Sequence, residues 1–453
     1  MQVPSEQRVT FDQIAKMSEA YQKDTTQHVM EKSVTANGIL ASSEDTGLLK
    51  KLSPPNFAFS IDVDREAVAN QKQSGRCWMF AGLNFMRWHI EKKLNLPHGT
   101  FEISQVYYTF FNKLERAAWF LENIIRTASQ PLDSREVCFL LQAPMQDGGY
   151  WDWIAGLIMK YGVIPHSAMA ETHASNNSAE INTILSTLLR KDAVELRALA
   201  NEDKSTDAAM ERMLTEVYRI LATCYGEPPK TFDFQYMDKD NKYHADFGLT
   251  PKQFYEKYVP IDLNDYIAVS NYPGENRPFN RMYTIETSAQ IPNRRVMFLN
   301  VSMDDLRKLV LDQLDNGNGE PIWFASDVLK GLDRVACVMD TKLYDLSAMF
   351  GVDLLGSMDK ATQLDMWESG PDHAMMIAGV DMHDGRTLKW KIENSWGTEN
   401  GGQKTGYNGY FVGGDDWFND YVYVAAIRKD LLSDAQKAVL DTDPIVLPFY
   451  TSL

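Results

Sequence analysis

Cysteine is scarce in this chain: Cys77, Cys138, Cys224 and Cys337 are the four thiols among 453 residues. None forms a C-x-x-C pair, which excludes the common structural zinc sites. So few thiols also exclude the disulfide framework of small secreted proteins. A chain of this length buries enough apolar surface to need neither kind of staple. Positive charge is short as well, with 45 Lys and Arg against 62 Asp and Glu and a net charge of −17. A protein that holds a polyanion carries a basic surplus, so nucleic-acid binding is not expected. No run of 18 consecutive apolar residues is present, so no membrane span is expected. The opening MQVPSEQRVTFDQIAKMSEA has no apolar stretch after a basic start. No signal peptide is therefore expected, and a reducing cytoplasm is the expected compartment. Internal repeats and low-complexity tracts are also missing.

What is present is an ordinary globular composition, 44% hydrophobic and 24% charged. Residues 1–60 read as an N-terminal extension wrapping the core, closed by the break at Ser53-Pro54-Pro55-Asn56. Residues 61–170 read as a helical lobe. A helix begins near Cys77 after Gly75, a second runs over Ser104–Glu122, and WDWIAGLIMKY forms a third, ended by Gly162 and Pro165. Residues 171–285 read as a mainly helical insertion. Ile181, Ile184, Leu185, Leu188 and Leu189 fall on one helix face, and Met210, Met213, Leu214, Val217 and Leu221 repeat the spacing. The segment YMDKDNKYHADFG reads as polar and turn-rich. Residues 286–440 hold short β-branched and aromatic runs (RRVMFLNV, EPIWFASDV, HAMMIAGVDM, TLKWKIENSWG, GYFVG, DYVYVAAI), the pattern of an antiparallel, barrel-like lobe. Residues 441–453 form a tail. The fold class is α+β, in two lobes with a large helical insertion.

The chemistry concentrates in three places. In Gln71-Lys72-Gln73-Ser74-Gly75-Arg76-Cys77-Trp78, a thiol stands at a glycine turn entering a helix. Unpaired N–H groups and the helix dipole at such a position favour the thiolate, the form that attacks a carbonyl. The other three cysteines read as ordinary buried thiols. His373, in Asp372-His373-Ala374, opens an apolar strand 296 residues further on, so only the fold can bring it to the thiol. Taken alone, it would more often be a hydrogen-bonded structural histidine. Asn394, in Glu393-Asn394-Ser395-Trp396-Gly397, can accept from one ring nitrogen and leave the other facing the thiol. Trp396 can shield that bond from water. Gln71 offers an amide donor which, with the Cys77 N–H, would make an oxyanion hole.

Gln-x5-Cys-Trp, Asp-His-Ala and Asn-Ser-Trp-Gly, in that order, resemble the papain-like cysteine peptidases. Ser74 and Arg76 depart from the C-G-[SA]-C-[WY] signature of the secreted branch. The long insertion departs from it too. NQKQSGRCWMFAGLN, DGGYWDW, HAMMIAGV, KIENSWG and further phrases from about residue 5 to 448 are similar to the intracellular branch, bleomycin hydrolase and bacterial aminopeptidase C. The resemblance implies the papain-like two-lobe fold, peptide substrates and no cofactor or metal. It implies Cys77 as nucleophile, His373 as base then acid, Asn394 as its orienter and Gln71 as oxyanion donor. Gly148 and Gly149 match the glycine pair whose backbone meets an extended substrate, with Trp396 also near it. The resemblance further implies a homohexamer in which the 171–285 insertion serves as an oligomerisation arm. It places the C-terminal tail in the active-site cleft, where the terminal carboxylate, here on Leu453, would meet the substrate amine.

Only Phe449-Tyr450-Thr451-Ser452-Leu453 follows Pro448, a shorter and more aromatic end than the family's aminopeptidases carry. Each extended residue spans about 3.3–3.6 Å, so a few missing residues move the carboxylate by roughly 13 Å. Aminopeptidase and endopeptidase cleavage are both open on this reading. A catalytically dead papain-like scaffold and another acyl-transfer thiol enzyme, such as a transglutaminase, are the competing classes.

Overall fold

The computed structural model describes residues 8–451, apart from 53–56, 64–67, 98, 292–293, 316–318, 401–402 and 405–406. Four helices, α1 (Phe11–Gln22), α2 (Thr25–Asn37), α3 (Ile39–Ser43) and α4 (Thr46–Leu52), open the chain. Thr10 and Asp24 cap the first two, each accepting backbone N–H groups of its helix. α1 and α2 bury no residue, and α3 buries Ser43. The extension meets the segment that leads into the short helix Leu346–Phe350, where Asp45 N–H bonds Leu343 O and Asp345 N–H bonds Ser43 O.

The helical lobe holds α5 (Cys77–Leu94), α6 (Gln105–Arg126), α7 (Arg135–Gln142) and α8 (Trp151–Tyr161). A helix that is apolar all round belongs inside a domain. α5 is buried nearly all round: its Met79, Phe80, Leu83, Phe85, Met86 and Ile90 are buried, and so are the polar Asn84, Arg87, His89 and Glu91. Each such apolar side chain contributes about 1.5–3 kcal/mol on leaving water. Gly82 lets α8 approach α5 closely, since a Cβ there would lie 2.8 Å from Ile154. Gly162, at φ +78°, ends α8 in a conformation that costs glycine little.

The insertion contains α9 (His173–Asn176), α10 (Ala179–Asn201), α11 (Asp207–Tyr225) and α12 (Pro251–Tyr258). Ile181, Leu185 and Leu189 are buried, and so are Met213, Val217 and Leu221, whereas Ile184 is exposed and the apolar face of α10 is narrower than expected. The stretch read as a polar loop is a β-hairpin, which pairs Phe232–Met237 with Tyr243–Leu249. Its inner face carries Phe232 and Phe234, while polar residues on the other face hid the strand alternation.

One 12-stranded sheet dominates the second lobe. Numbering every strand along the chain, β1 is Ile61–Asp62, β2 and β3 are the hairpin just described, β4 is Tyr266–Ser270, β5 Arg281–Ile285, β6 Met297–Asn300 and β7 Ile322–Ser326. Then come β8 (Leu332–Asp333), β9 (Val338–Met339), β10 (His373–His383), β11 (Arg386–Glu393) and a small separate ribbon, β12 (Glu399–Asn400) with β13 (Gln403–Lys404). The last are β14 (Tyr410–Gly414), β15 (Val422–Arg428) and β16 (Ile445–Leu447). The sheet order is β16-β5-β6-β4-β15-β7-β10-β11-β14-β9-β8, with β1 added to β10. It is mixed, not purely antiparallel, because β4–β6, β9–β14 and β5–β16 run parallel. Three of its strands, β1, β4 and β5, come from before residue 286. The central β10 is buried on both faces: Ala374 and Met376 join the helical-lobe core, Met375 and Ile377 the core beyond the sheet. That is why HAMMIAGV reads as a continuous apolar run. Among the described residues, no helix is long and apolar enough to cross a membrane.

Candidate active site

Cys77 is the first residue of α5, and Arg76, its N-cap, makes no side-chain cap. The orphan N–H groups of the first turn therefore point at the thiol, and the Cys77 and Trp78 amides both act on the sulfur. Arg76, the departure from the secreted signature, is buried. Its guanidinium forks onto Glu171 at 3.1 and 2.8 Å and also reaches Ser74 Oγ. A bidentate pair of this kind fixes geometry as well as charge.

From the opposite lobe, β10 begins at His373, held by β7 in the pairing His373↔Ser326. The main-chain amide of Ala374, the next residue, favours the Cys77 thiolate. His373 and Asn394 are both buried, with His373 Nε2 2.9 Å from Asn394 Oδ1. The same oxygen accepts the Ser395 N–H at 2.7 Å. With an oxygen opposite it, Nε2 must carry a proton, and Nδ1 is the ring nitrogen left for the thiol. Trp396 lies against the imidazole, with ring centroids 4.8 Å apart.

Burial pushes the Cys77 thiol up to about 11, against the pull of the Ala374 and Trp78 amides. Burial likewise holds His373 below the usual histidine range, while the Asn394 hydrogen bond acts the other way. Both effects penalise an isolated charge. Proton transfer between the two groups creates opposite charges side by side, so each offsets the desolvation of the other.

Gln71 is buried and locked. Its amide donates to Ser74 O at 2.6 Å, and its oxygen accepts from Ser395 Oγ at 2.6 Å. One amide hydrogen is thereby used, and the second remains for a substrate oxygen. Gln71 does not itself line the main cavity, which encloses about 450 Å³ and is walled by Cys77, His373, Gly148, Gly149, Phe449 and Thr451, among others. A Cβ on Gly149 would strike Trp78 at 2.3 Å, whereas Gly148 faces open space. Gly148 O is taken by Arg116 at 2.6 Å. Among the described residues the main-chain N–H and C=O of Gly149 have no partner, so they are free for an extended chain.

Sequence reasoning missed the support beneath this loop. Asp147 accepts from Lys113 at 2.8 Å, Asn182 at 2.9 Å and the Gly75 N–H at 3.1 Å, and from Ser178. Its carbonyl accepts from Trp78 Nε1 at 2.7 Å. Burial raises the Asp147 carboxyl, yet the buried Lys113 ammonium and the hydroxyl and amide donors pull it well below the usual range. The one sequence signal was its place directly before the glycine pair.

The tail enters the cavity. β16 runs parallel to β5, Phe449 packs on Phe139 at 4.7 Å, and Thr451 Oγ1 lies 2.9 Å from the Tyr272 hydroxyl. Leu453 falls outside the described residues.

A helical lobe presenting a thiol across a cleft from a sheet that carries an imidazole–amide pair is the arrangement of a papain-like cysteine peptidase. The comparisons agree with that class. The Peptidase C1-like family model matches residues 8–453. The chain is 43% identical to an aminopeptidase C of Lactobacillus helveticus, over 96% of this chain and 94% of the relative. It is 42% identical to an aminopeptidase C of Listeria innocua, over 97% of both. The crystal structure of PepW from Lactobacillus rhamnosis superposes with a TM-score of 0.94 at 42% identity, covering 99% of each chain. The chain belongs to the Peptidase C1-like family.

Proposed function

We propose that this protein is a cysteine aminopeptidase acting on short peptides. The observation that carries the reading is that Cys77 and His373 line one cavity, with the far nitrogen of the imidazole already engaged by Asn394. His373 takes the Cys77 proton, and the thiolate adds to the substrate carbonyl. The resulting oxyanion is held by the Cys77 N–H and the remaining Gln71 amide hydrogen. Collapse breaks the C–N bond, and His373 delivers its proton to the departing amine. Water, deprotonated by the same imidazole, then opens the thioester, releasing a carboxylic acid and restoring the thiol. Gly149 pairs with the acyl part of the peptide, Gly148 lines the space around it, and Trp396 flanks the imidazole on the side of the departing amine.

The aminopeptidase reading over the endopeptidase one is supported by the names of the relatives and by Phe449 and Thr451, which fill the acyl side of the cavity. The test is a 4-nitroanilide with a free amine beside its N-acetylated twin. Cleavage of the free amine alone is expected, and equal cleavage of both overturns the exopeptidase reading. The retention of Gln71, Cys77, His373 and Asn394 argues against an inactive scaffold.

The proposed setting is the cytoplasm, supported by four free thiols. A homohexamer is the proposed assembly. It is supported by Phe11, Ile14, Met17 and Tyr21, exposed along one face of α1, and by exposed Ile184 and Val194 on the α10 arm. Sedimentation should give six chains per particle, and a monomer would refute it.

A further inference from the structure

A second cavity, of about 230 Å³, lies on the Trp396 side of His373. Its walls include Asn70 and Lys72, which flank Gln71, together with Arg334, Trp396 and Glu399. An antiparallel bridge between Asn70 and Trp396 joins these walls, with Gln71 N–H bonding Ser395 O at 2.7 Å. The cavity is therefore built from the immediate neighbours of Gln71 and from the indole that lies against His373. The acyl part of a peptide lies in the larger cavity with Gly149 and the tail. The departing amine must leave from the other side of the Cys77–His373 pair, which is this side.

The chain as a whole has 17 more carboxylates than cations, yet this cavity reverses the balance. Lys72 and Arg334 face one carboxylate, Glu399. Among the described residues neither cation forms an ion pair, and Arg334 is held over the Trp396 ring at 4.4 Å. The larger cavity has the opposite bias, with Glu286, Asp152 and Asp372 against Arg116 alone. Across the scissile position the wall thus runs from acidic to basic. A dipeptide or tripeptide zwitterion runs the same way, from ammonium to carboxylate.

We propose that Lys72 and Arg334 bind the C-terminal carboxylate of the leaving part of a short peptide, making this enzyme selective for di- and tripeptides with a free carboxyl end. The inference rests on the aminopeptidase reading and adds the leaving-group site to it. Arg334 suits the task, since its planar fork matches a carboxylate and its stacking on Trp396 already restricts it. The bound carboxylate also neutralises a charge that, after burial, depresses His373. The imidazolium that forms as Cys77 ionises becomes easier to make.

The experiment compares kcat/KM for alanyl-leucine with that for alanyl-leucinamide, in the wild type, Lys72→Ala, Arg334→Ala and the double variant. The readout is the acid-to-amide ratio within each protein, so a general loss of activity or folded fraction cancels. A wild-type ratio of about threefold to tenfold is expected, carried mainly by KM, and it should fall to near one in the double variant. Raising the salt concentration should lower the wild-type ratio as well. A ratio at or below one in the wild type, or one that survives both substitutions, overturns the proposal. Alanyl 4-nitroanilide separates the two levels. Cleavage of it without cleavage of either dipeptide overturns the carboxylate site alone, and cleavage of none of the three overturns the aminopeptidase reading and this inference together.

Discussion

Asn84, two turns along the helix that starts at Cys77, donates a 2.6 Å hydrogen bond to Glu393, the residue before Asn394. Arg87, one turn further, reaches the same oxygen at 3.3 Å. A buried charge-assisted cluster thus ties α5 to the end of β11, and with it the thiol to the amide that orients the imidazole. Asn84→Ala removes a hydrogen bond to a buried carboxylate, which costs about 1.5–3 kcal/mol. Urea unfolding should show that loss. In the folded fraction kcat should fall more than KM rises, because the substrate cavity is untouched. Unchanged kcat would mean the tie is structural only.

The thiol and imidazole can be separated by alkylation. Burial alone would leave about one Cys77 in ten thousand ionised at pH 7, given a value of about 11. Proton transfer to His373 removes that handicap. In the wild type, iodoacetamide should label Cys77 at neutral pH faster than Cys138, Cys224 or Cys337. In His373→Ala the rate at Cys77 should instead climb with pH towards 11. Identical pH profiles for the two proteins would refute the pairing.

Asp147 makes a prediction about acid. Its folded-state pKa lies below the ordinary carboxylate value, so its ionised form stabilises the fold above that value, and the contribution is lost as pH falls below it. Asp147→Asn leaves Lys113 buried without its carboxylate and should cost about 3–5 kcal/mol at pH 7. The gap between variant and wild type in chemical denaturation should narrow as pH is lowered below 4. A gap that stays constant would remove Asp147 from the account.

The glycine pair offers a contrast on adjacent residues. Gly149→Ala drives a Cβ to 2.3 Å from Trp78, whose buried indole is tethered through Nε1 to the Asp147 carbonyl. Overpacking there should cost about 1–3 kcal/mol or more and displace the indole beside Cys77. Gly148→Ala meets nothing within 4 Å and should stay within about 0.5 kcal/mol of the wild type. Equal effects, read by thermal unfolding and by kcat/KM, would contradict this packing.

How much of this was legible in the sequence depends on what each residue was doing. Cys77, His373, Asn394 and Gln71 could be singled out because their neighbours form local motifs: a glycine turn before a helix, an apolar strand behind a histidine, an amide before a tryptophan. Asp147, Lys113 and Asn182 could not, since their meeting depends on three separate segments and no spacing along the chain encodes it. The β2–β3 hairpin was hidden because most of its surface faces water, so polar residues outnumber the buried Phe232 and Phe234. Strands β4 and β5 were hidden by position, lying next to helical sequence although they are internal strands of the sheet. Ile184 fitted the helical period but not the burial, because a period marks a face and not what covers it.

The tail carries the sharpest functional prediction. Pro448 is followed by Phe449, packed at a tilt on Phe139, by Tyr450, under Arg135 at 3.5 Å, and by Thr451, hydrogen-bonded to Tyr272. Phe449 and Thr451 line the cavity, while β16 before them is anchored independently on β5. A chain ending at Pro448 should therefore fold with unchanged stability. It should also open the acyl side of the cavity, so that a peptide can extend past the position where its amine now stops. The rate on an N-acetylated substrate relative to its free-amine twin should rise about tenfold, the equivalent of about 1.4 kcal/mol of lost discrimination. Assaying both substrates on the truncated and full chains decides the matter. An unchanged ratio would show that the preference for a free amine, if the full chain has one, comes from elsewhere in the cavity, with the Glu286 carboxylate on its wall as the next group to replace.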